Sequence, residues 1–261
     1  SIPLPSAASQ VAIATWEAAD GKGIDDLIVG QGAAAAEHVI NTATSFDEWA
    51  IALRLAQRVK RRPDLNLGQR EFVDVAGDLP RDCDLALHGG KGTAKSKLIQ
   101  QEILGESWLS MAALQSLARE QAESWGGAFI NDGDRYGNRF LKQGQPVDGG
   151  SVCIPSLLKV RQIDADVLVL DETTAILQFL LTSKLANKDG IRPLLLTEFE
   201  RRVREAKRVI VADADLTEEA LLYLEAIRGR RFYLVRSERQ PLQWTAHLME
   251  GSKNQAIAEL L

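Results

Sequence analysis

Leu85-Ala-Leu-His-Gly-Gly-Lys-Gly-Thr-Ala-Lys-Ser96 is the stretch from which the rest of the chain can be read. A short apolar run breaks into a glycine-rich loop and closes on Lys95-Ser96. From Gly89 the spacing follows the phosphate-loop pattern G-x-x-x-x-G-K-[ST], with Ala94 standing where the pattern has glycine. Small residues at Gly89, Gly90, Gly92 and Ala94, with Lys91 and Thr93 between them, let backbone N–H groups close on phosphate oxygens. The loop feeds the positive end of a helix, Lys95 reaches the outer phosphates, and the Ser96 hydroxyl holds Mg²⁺. Ala94 still offers its N–H and fails only if its position requires a positive φ. The competing reading is a glycine-rich turn with no ligand.

A second strand decides between these readings. Val167-Leu-Val-Leu-Asp-Glu172 is an apolar strand ending in two carboxylates, which emerge at the C-terminal edge of a sheet beside the loop. Asp171 is the expected Mg²⁺ partner, and Glu172 orients or deprotonates the attacking water. Alternatively the pair caps the helix that begins near Thr173. Val209-Ile-Val-Ala-Asp-Ala-Asp-Leu216 repeats the strand-then-acid design. There Asp213 or Asp215 senses the terminal phosphate through water or couples nucleotide state to DNA, or else marks only a strand end and helix cap.

Working outward, the chain from about residue 64 alternates short apolar strands with helical stretches, the pattern of a parallel sheet covered by helices. The strands are expected at Asp84–Leu87, Ser107–Met111, Ala128–Ile130, Ser151–Ile154, Val167–Leu170, Val209–Ala212 and Phe232–Val235. Helices are expected over Ala112–Trp125, closed by Gly126-Gly127, over Thr173–Lys184 and Arg192–Lys207, and from Thr217 onward. Gly133–Gly150 reads as a surface loop or irregular hairpin. Before all this, Ala33–Ile40 and Phe46–Arg62 read as helices, and Pro63-Asp64 as the end of a linker. The fold class is therefore α/β: a P-loop NTPase, mostly parallel, with helices on both faces, preceded by a short helical segment.

Bulk properties bound the function. In 261 residues the net charge is -5, which supplies no global field for a polyanion; contact with nucleic acid has to come from local basic runs such as Arg54–Arg62, Arg201–Arg208 and Arg228–Arg239. Helical arginines and lysines are more often a solvated face. Trp108, Trp125 and Trp244 read as core or interface aromatics. Cys83 and Cys153 lie apart and away from the histidines, which suggests neither a disulfide framework nor a zinc site and fits a reducing cytoplasm. No run approaches the roughly 18 apolar residues of a membrane helix. The chain opens at Ser1 without Met and stops at Leu261 in a helix-like pattern without a cap, as expected of a fragment.

The ordered set of Gly89–Ser96, Trp108–Arg119, Ser151–Leu158, Val167–Glu172 and Val209–Leu216 resembles the first RecA-like motor domain of superfamily 2 helicases. More narrowly, it is similar to cyanobacterial plasmid replication proteins related to viral origin-binding helicases. The resemblance covers roughly residues 70 to 250. It implies ATP and Mg²⁺ as cofactors and DNA as partner, single-stranded or origin DNA, with replication proteins as possible further partners and no membrane. Asp20–Gly32 resembles the end of the Toprim-like, primase-associated domain that precedes such a motor, and the two resemblances imply a division into 1–32, the end of that domain; 33–63, a helical linker; 64–240, the ATP-binding motor; and 241–261, the start of a truncated second motor domain. Ala112-Ala113 departs from the basic or aromatic DNA contact of related helicases, so no such role is carried over. Helicases of this kind complete the ATP site with an arginine from the second motor domain, worth on the order of 10³ to 10⁵ in rate; the fragment should bind ATP better than it hydrolyses it. Two other classes stay open: an ATP switch or loader acting on a protein partner, and a degenerate interaction module without catalysis.

Overall fold

A computed structural model describes residues 12–16, 19, 23–45, 57–130, 135–136 and 138–239. They fall into two units. The smaller comprises the residues through Arg61 together with Thr217–Leu222. In it β1 (Ala12–Ile13) pairs antiparallel with β2 (Thr44–Ser45). Helices α1 (Ile24–Gln31) and α2 (Ala33–Asn41) meet at Gly32, whose φ of 90° suits only glycine. Helix α2 matches the expectation over Ala33–Ile40, whereas α1 is a helix that the sequence reading does not place. Most of the helix expected over Phe46–Arg62, and the proposed start of a second motor domain at 241–261, lie outside the described residues.

The larger unit runs β3 (Leu65–Asn66), β4 (Leu85–Gly89), α3 (Lys95–Glu102), β5 (Trp108–Ala112), α4 (Gln115–Ser124) and β6 (Ala128–Phe129). A three-stranded antiparallel meander follows, made of β7 (Arg135–Tyr136), β8 (Arg139–Lys142) and β9 (Gln145–Val147). Then come β10 (Gly149–Cys153), β11 (Val167–Asp171), α5 (Thr173–Thr182), α6 (Arg192–Glu205), β12 (Arg208–Asp213), the part of α7 (Glu218–Arg228) from Tyr223 onward, and β13 (Tyr233–Ser237). Eight strands form one sheet in the order β3-β13-β4-β12-β11-β5-β10-β6, and every pairing in it is parallel. The fold is α/β.

Strand polarity follows from burial. The five residues of β4, β5, β10 and β11 and the six of β12 are all buried, the near-continuous apolar pattern of strands covered on both faces. From β4 the chain moves across the sheet one way to β5 and β6, and from β10 it moves back through β11 and β12 to β13. With right-handed crossovers, that reversal puts α3 and α4 on one face and α5 and α6 on the other. Leu98 and Ile99 of α3 accordingly pack on Leu85, Leu87, Val167, Val169, Ile210 and Ala212, alternate residues of three strands.

Two expectations need correction. Gly149 and Gly150 belong to strand β10, not to a surface loop: a Cβ on Gly149 would lie 2.2 Å from the Trp108 ring, and one on Gly150 2.7 Å from Phe140. Glycine is there because aromatic rings lie flat against the strand. Trp108, a buried core residue, also meets the half-buried Trp125 edge-to-face at 5.7 Å between centroids. The helix expected over Ala112–Trp125 begins only at Gln115: Ala112 ends β5, and Leu114, 62% exposed, precedes α4.

Several arginines of two basic runs are tied inside the protein. Asp84, fully buried just before β4, accepts from Nε of Arg228 and of Arg230, each at 2.7 Å, and from the Val209 N–H at 2.7 Å. Arg208 pairs with Glu102 at 2.9 Å and Arg202 with Glu198 at 2.7 Å, both buried. These arginines fasten the N-terminal edge of the sheet.

Candidate functional site

Strand β4 ends at Gly89, and Gly90–Ala94 carry the chain into α3. The turn is held from within and from beside it. Thr93 Oγ1 donates to the Gly90 carbonyl at 2.7 Å, and the Phe72 N–H donates to the Thr93 carbonyl at 3.0 Å. Gly89 is required by packing, since a Cβ there would sit 2.8 Å from the Phe72 ring. Gly92 and Ala94 are both left-handed, at φ 76° and 64°. A helix that starts at Lys95 with no side-chain cap leaves its first N–H groups without that usual acceptor. Such a loop and helix start fit an anion.

Ala94 therefore occupies the one conformation in which the missing glycine matters. A Cβ in the left-handed region costs about 1–2 kcal/mol. Among the described residues only Ala94, Gln143, Glu172 and Asp189 combine a side chain with positive φ. Two of these four are candidate site residues, a concentration of backbone strain of the kind found where geometry is fixed by function.

Lys95 is 9% exposed and folds over the loop, its Nζ donating to the carbonyls of Gly89 at 2.6 Å and Gly90 at 2.9 Å. Burial lowers its pKa, while the charges of Asp171, Glu172, Asp213 and Asp215 oppose that shift. The carboxylates arrive from two neighbouring strands. Strand β12 lies between β4 and β11, so Asp213 ends the strand that separates the loop strand from the one bearing Asp171 and Glu172. Helix α3 closes the gap: Ser96 Oγ donates to Asp171 Oδ2 at 3.3 Å.

Asp171 is 6% exposed; burial raises its pKa, against the Lys95 charge and the hydrogen bonds from Ser96 and Gln121. Glu172 follows in the left-handed conformation, φ 63° and ψ 53°, at the start of α5. Burial, then the charges of Asp213 and Asp171, raise its pKa as well. A carboxylate so perturbed is suited to take a proton from water. Ser96 and Asp171 are hard oxygen donors of the kind Mg²⁺ takes sparingly, keeping waters for the rest of its shell. Among the described residues no group of three or more His, Cys, Asp or Glu side chains is placed to hold a metal ion.

Asp213 is used differently from the rest. Its Oδ2 accepts from the Thr174 N–H at 2.7 Å and its Oδ1 from the Asp215 N–H at 2.8 Å. It thus caps the first turn of α5, the helix that carries Glu172 at its start, and orders its own turn. The chain brings Gly89, Gly90, Lys91, Gly92, Thr93, Ala94, Lys95, Ser96, Asp171, Glu172 and Asp213 to one edge of the sheet.

Sequence reasoning missed Gln121, a buried amide on α4 that donates to Asp171 Oδ2 at 3.5 Å. Its signal was available: Ala118, Gln121, Ala122 and Trp125 share one helical face, and the polar member of an apolar stripe is the unusual one. It also missed Phe72, whose backbone braces the loop from a segment without regular periodicity.

No family model matches the chain, and no curated protein matches it. Among solved structures, the Hef helicase domain of Pyrococcus furiosus superposes with a TM-score of 0.43 at 15% identity, over 66% of this chain and 38% of that one. Dbp5 of S. cerevisiae, solved with Nup159, Gle1 and ADP, gives 0.41 at 12% identity, over 62% of this chain and 45% of that one. The large terminase ATPase domain of a Thermus phage gives 0.31 at 12% identity, over 70% of this chain and 79% of that one. This chain thus spans less than half the length of the first two.

Proposed function

We propose that this chain is the ATP-binding and hydrolysing motor domain of a DNA replication helicase or initiator. One observation carries the reading: Ser96 from the loop helix and Asp171 from a second strand meet at 3.3 Å, with Lys95 and Glu172 beside them. A bare glycine turn has no reason to bring a hydroxyl, a lysine and two carboxylates together. ATP lies with its phosphates on the N–H groups of Gly90–Ser96, and Lys95 leaves the loop carbonyls for the outer phosphates. Ser96 and Asp171 would hold Mg²⁺, which would supply screening of the phosphate charge. Glu172 orients the attacking water and accepts its proton. Asp213 acts through α5, keeping Glu172 in register.

ATP hydrolysis stimulated by single-stranded DNA, measured on the whole protein, tests the motor reading. Stimulation that disappears in Glu172→Gln supports it, and hydrolysis indifferent to DNA rejects it. A second reading has its own observation. Arg202, Arg208, Arg228 and Arg230 are tied into internal ion pairs, leaving fewer basic side chains for phosphates. That favours an ATP switch acting on a protein partner, in which nucleotide changes partner affinity while Glu172→Gln leaves cellular activity intact.

A further inference from the structure

Gln121 is 3% exposed on the face of α4 that packs against the sheet, among Ala118 and Ala122. An amide there is costly if its polar atoms are left unpaired, and an apolar residue would fill the position without that risk. Both ends are engaged. Ser110 Oγ, fully buried on β5, donates to Gln121 Oε1 at 2.5 Å, and Gln121 Nε2 donates to Asp171 Oδ2 at 3.5 Å. The orientation is forced by chemistry: an ionised carboxylate only accepts, so the amide nitrogen must face Asp171 and its oxygen must face the serine hydroxyl. Asp171 Oδ2 is the same oxygen that Ser96 reaches at 3.3 Å. Ser151, opposite Ser110 in the β5–β10 register, is fully buried as well, and its hydroxyl has no hydrogen-bond partner among the described residues. A polar chain thus runs from β5 through α4 and ends on one carboxylate oxygen.

We propose that Gln121 is a positioning residue for the metal site, holding the Asp171 carboxylate against Ser96, with Ser110 fixing the sense of the amide. The proposal rests on reading Ser96 and Asp171 as the Mg²⁺ ligands. Gln121 touches neither nucleotide nor metal; its effect passes through Asp171.

The test uses Mn²⁺ in place of Mg²⁺, titrated by electron paramagnetic resonance into protein saturated with a non-hydrolysable ATP analogue. The affinity for the same analogue is measured separately in EDTA. Gln121→Met is expected to weaken Mn²⁺ binding roughly 10- to 100-fold, the usual effect of losing a partner behind a metal ligand, while metal-free nucleotide affinity stays within about twofold. Ser110→Ala, a smaller change that guards against misfolding of the first variant, moves Mn²⁺ affinity in the same direction, by less. Equal Mn²⁺ affinity in wild type and Gln121→Met overturns the proposal, as does a parallel loss of metal-free binding and thermal stability. Absence of nucleotide binding by the wild-type protein overturns the underlying site reading as well, and so is distinguishable.

Discussion

Replacing Ala94 by glycine should make the protein more stable. Ala94 sits at φ 64°, ψ 27°, in the left-handed region. Its Cβ costs about 1–2 kcal/mol there. Glycine removes that strain but frees the unfolded chain, which takes back roughly 0.4–1 kcal/mol. The difference is a gain of about 0.5–1 kcal/mol, which for a chain of this size raises Tm by about 1–4 °C. Gly92→Ala is the mirror experiment. Gly92 has φ 76°, and an added Cβ meets nothing within 4 Å, so its penalty is conformational and not steric. It should lower stability by a similar amount, and the double variant should melt close to wild type. Thermal unfolding without nucleotide, followed by circular dichroism and calorimetry, reads all three. An Ala94→Gly protein that melts at or below the wild-type temperature refutes the argument, because Ala94 then does not bear a left-handed conformation in solution.

Other consequences are as direct. Glu172→Gln should slow ATP hydrolysis roughly 10²- to 10⁴-fold with nucleotide affinity nearly unchanged, measured by single turnover and by titration. Asp171 has a pKa raised by burial, so its contribution to stability is present below the ordinary carboxylate range and is lost as pH rises through the folded-state value. Asp171→Asn should therefore stabilise the nucleotide-free protein at neutral pH, with a gain that shrinks on acidification in denaturant titrations across pH. For Asp84, burial is outweighed by hydrogen bonds from Arg230, Arg228 and the Val209 N–H, and its pKa is lowered. Its contribution is present above the ordinary carboxylate range and lost as pH falls through the depressed value, so Asp84→Asn should flatten the acid limb of the stability profile. Asp84→Ala, which strands two arginines, should cost about 3–5 kcal/mol in urea unfolding.

The seven strands expected from short apolar runs all lie in the parallel sheet, each within two residues of its expected bounds, because a strand buried on both faces has to be apolar throughout. The meeting of Ser96 and Asp171 was legible for a related reason, since a strand running into a glycine-rich loop and helix, and a second apolar strand ending in carboxylates, place both at one sheet edge. What stayed hidden depends on distant partners. Gly149 reads as a loop glycine until Trp108 is seen lying on it, and the polar chain through Gln121 joins residues whose sequence separations of 11 and 50 carry no local period. Charge density along the chain likewise does not reveal that Asp84 and Glu102 receive Arg228 and Arg208 from the far side of the sequence. Strand order is also invisible in sequence: β12 separates the two halves of the site, and only α3 brings Ser96 across to Asp171.

The central claim is that Gly89–Ser96 is a live nucleotide site despite Ala94. Equilibrium titration of the protein with a fluorescent ATP analogue and Mg²⁺, beside Lys95→Ala, tests it most directly. The account predicts saturable binding by the wild-type protein that Lys95→Ala abolishes. Equal binding by both proteins, or binding by neither, would contradict it.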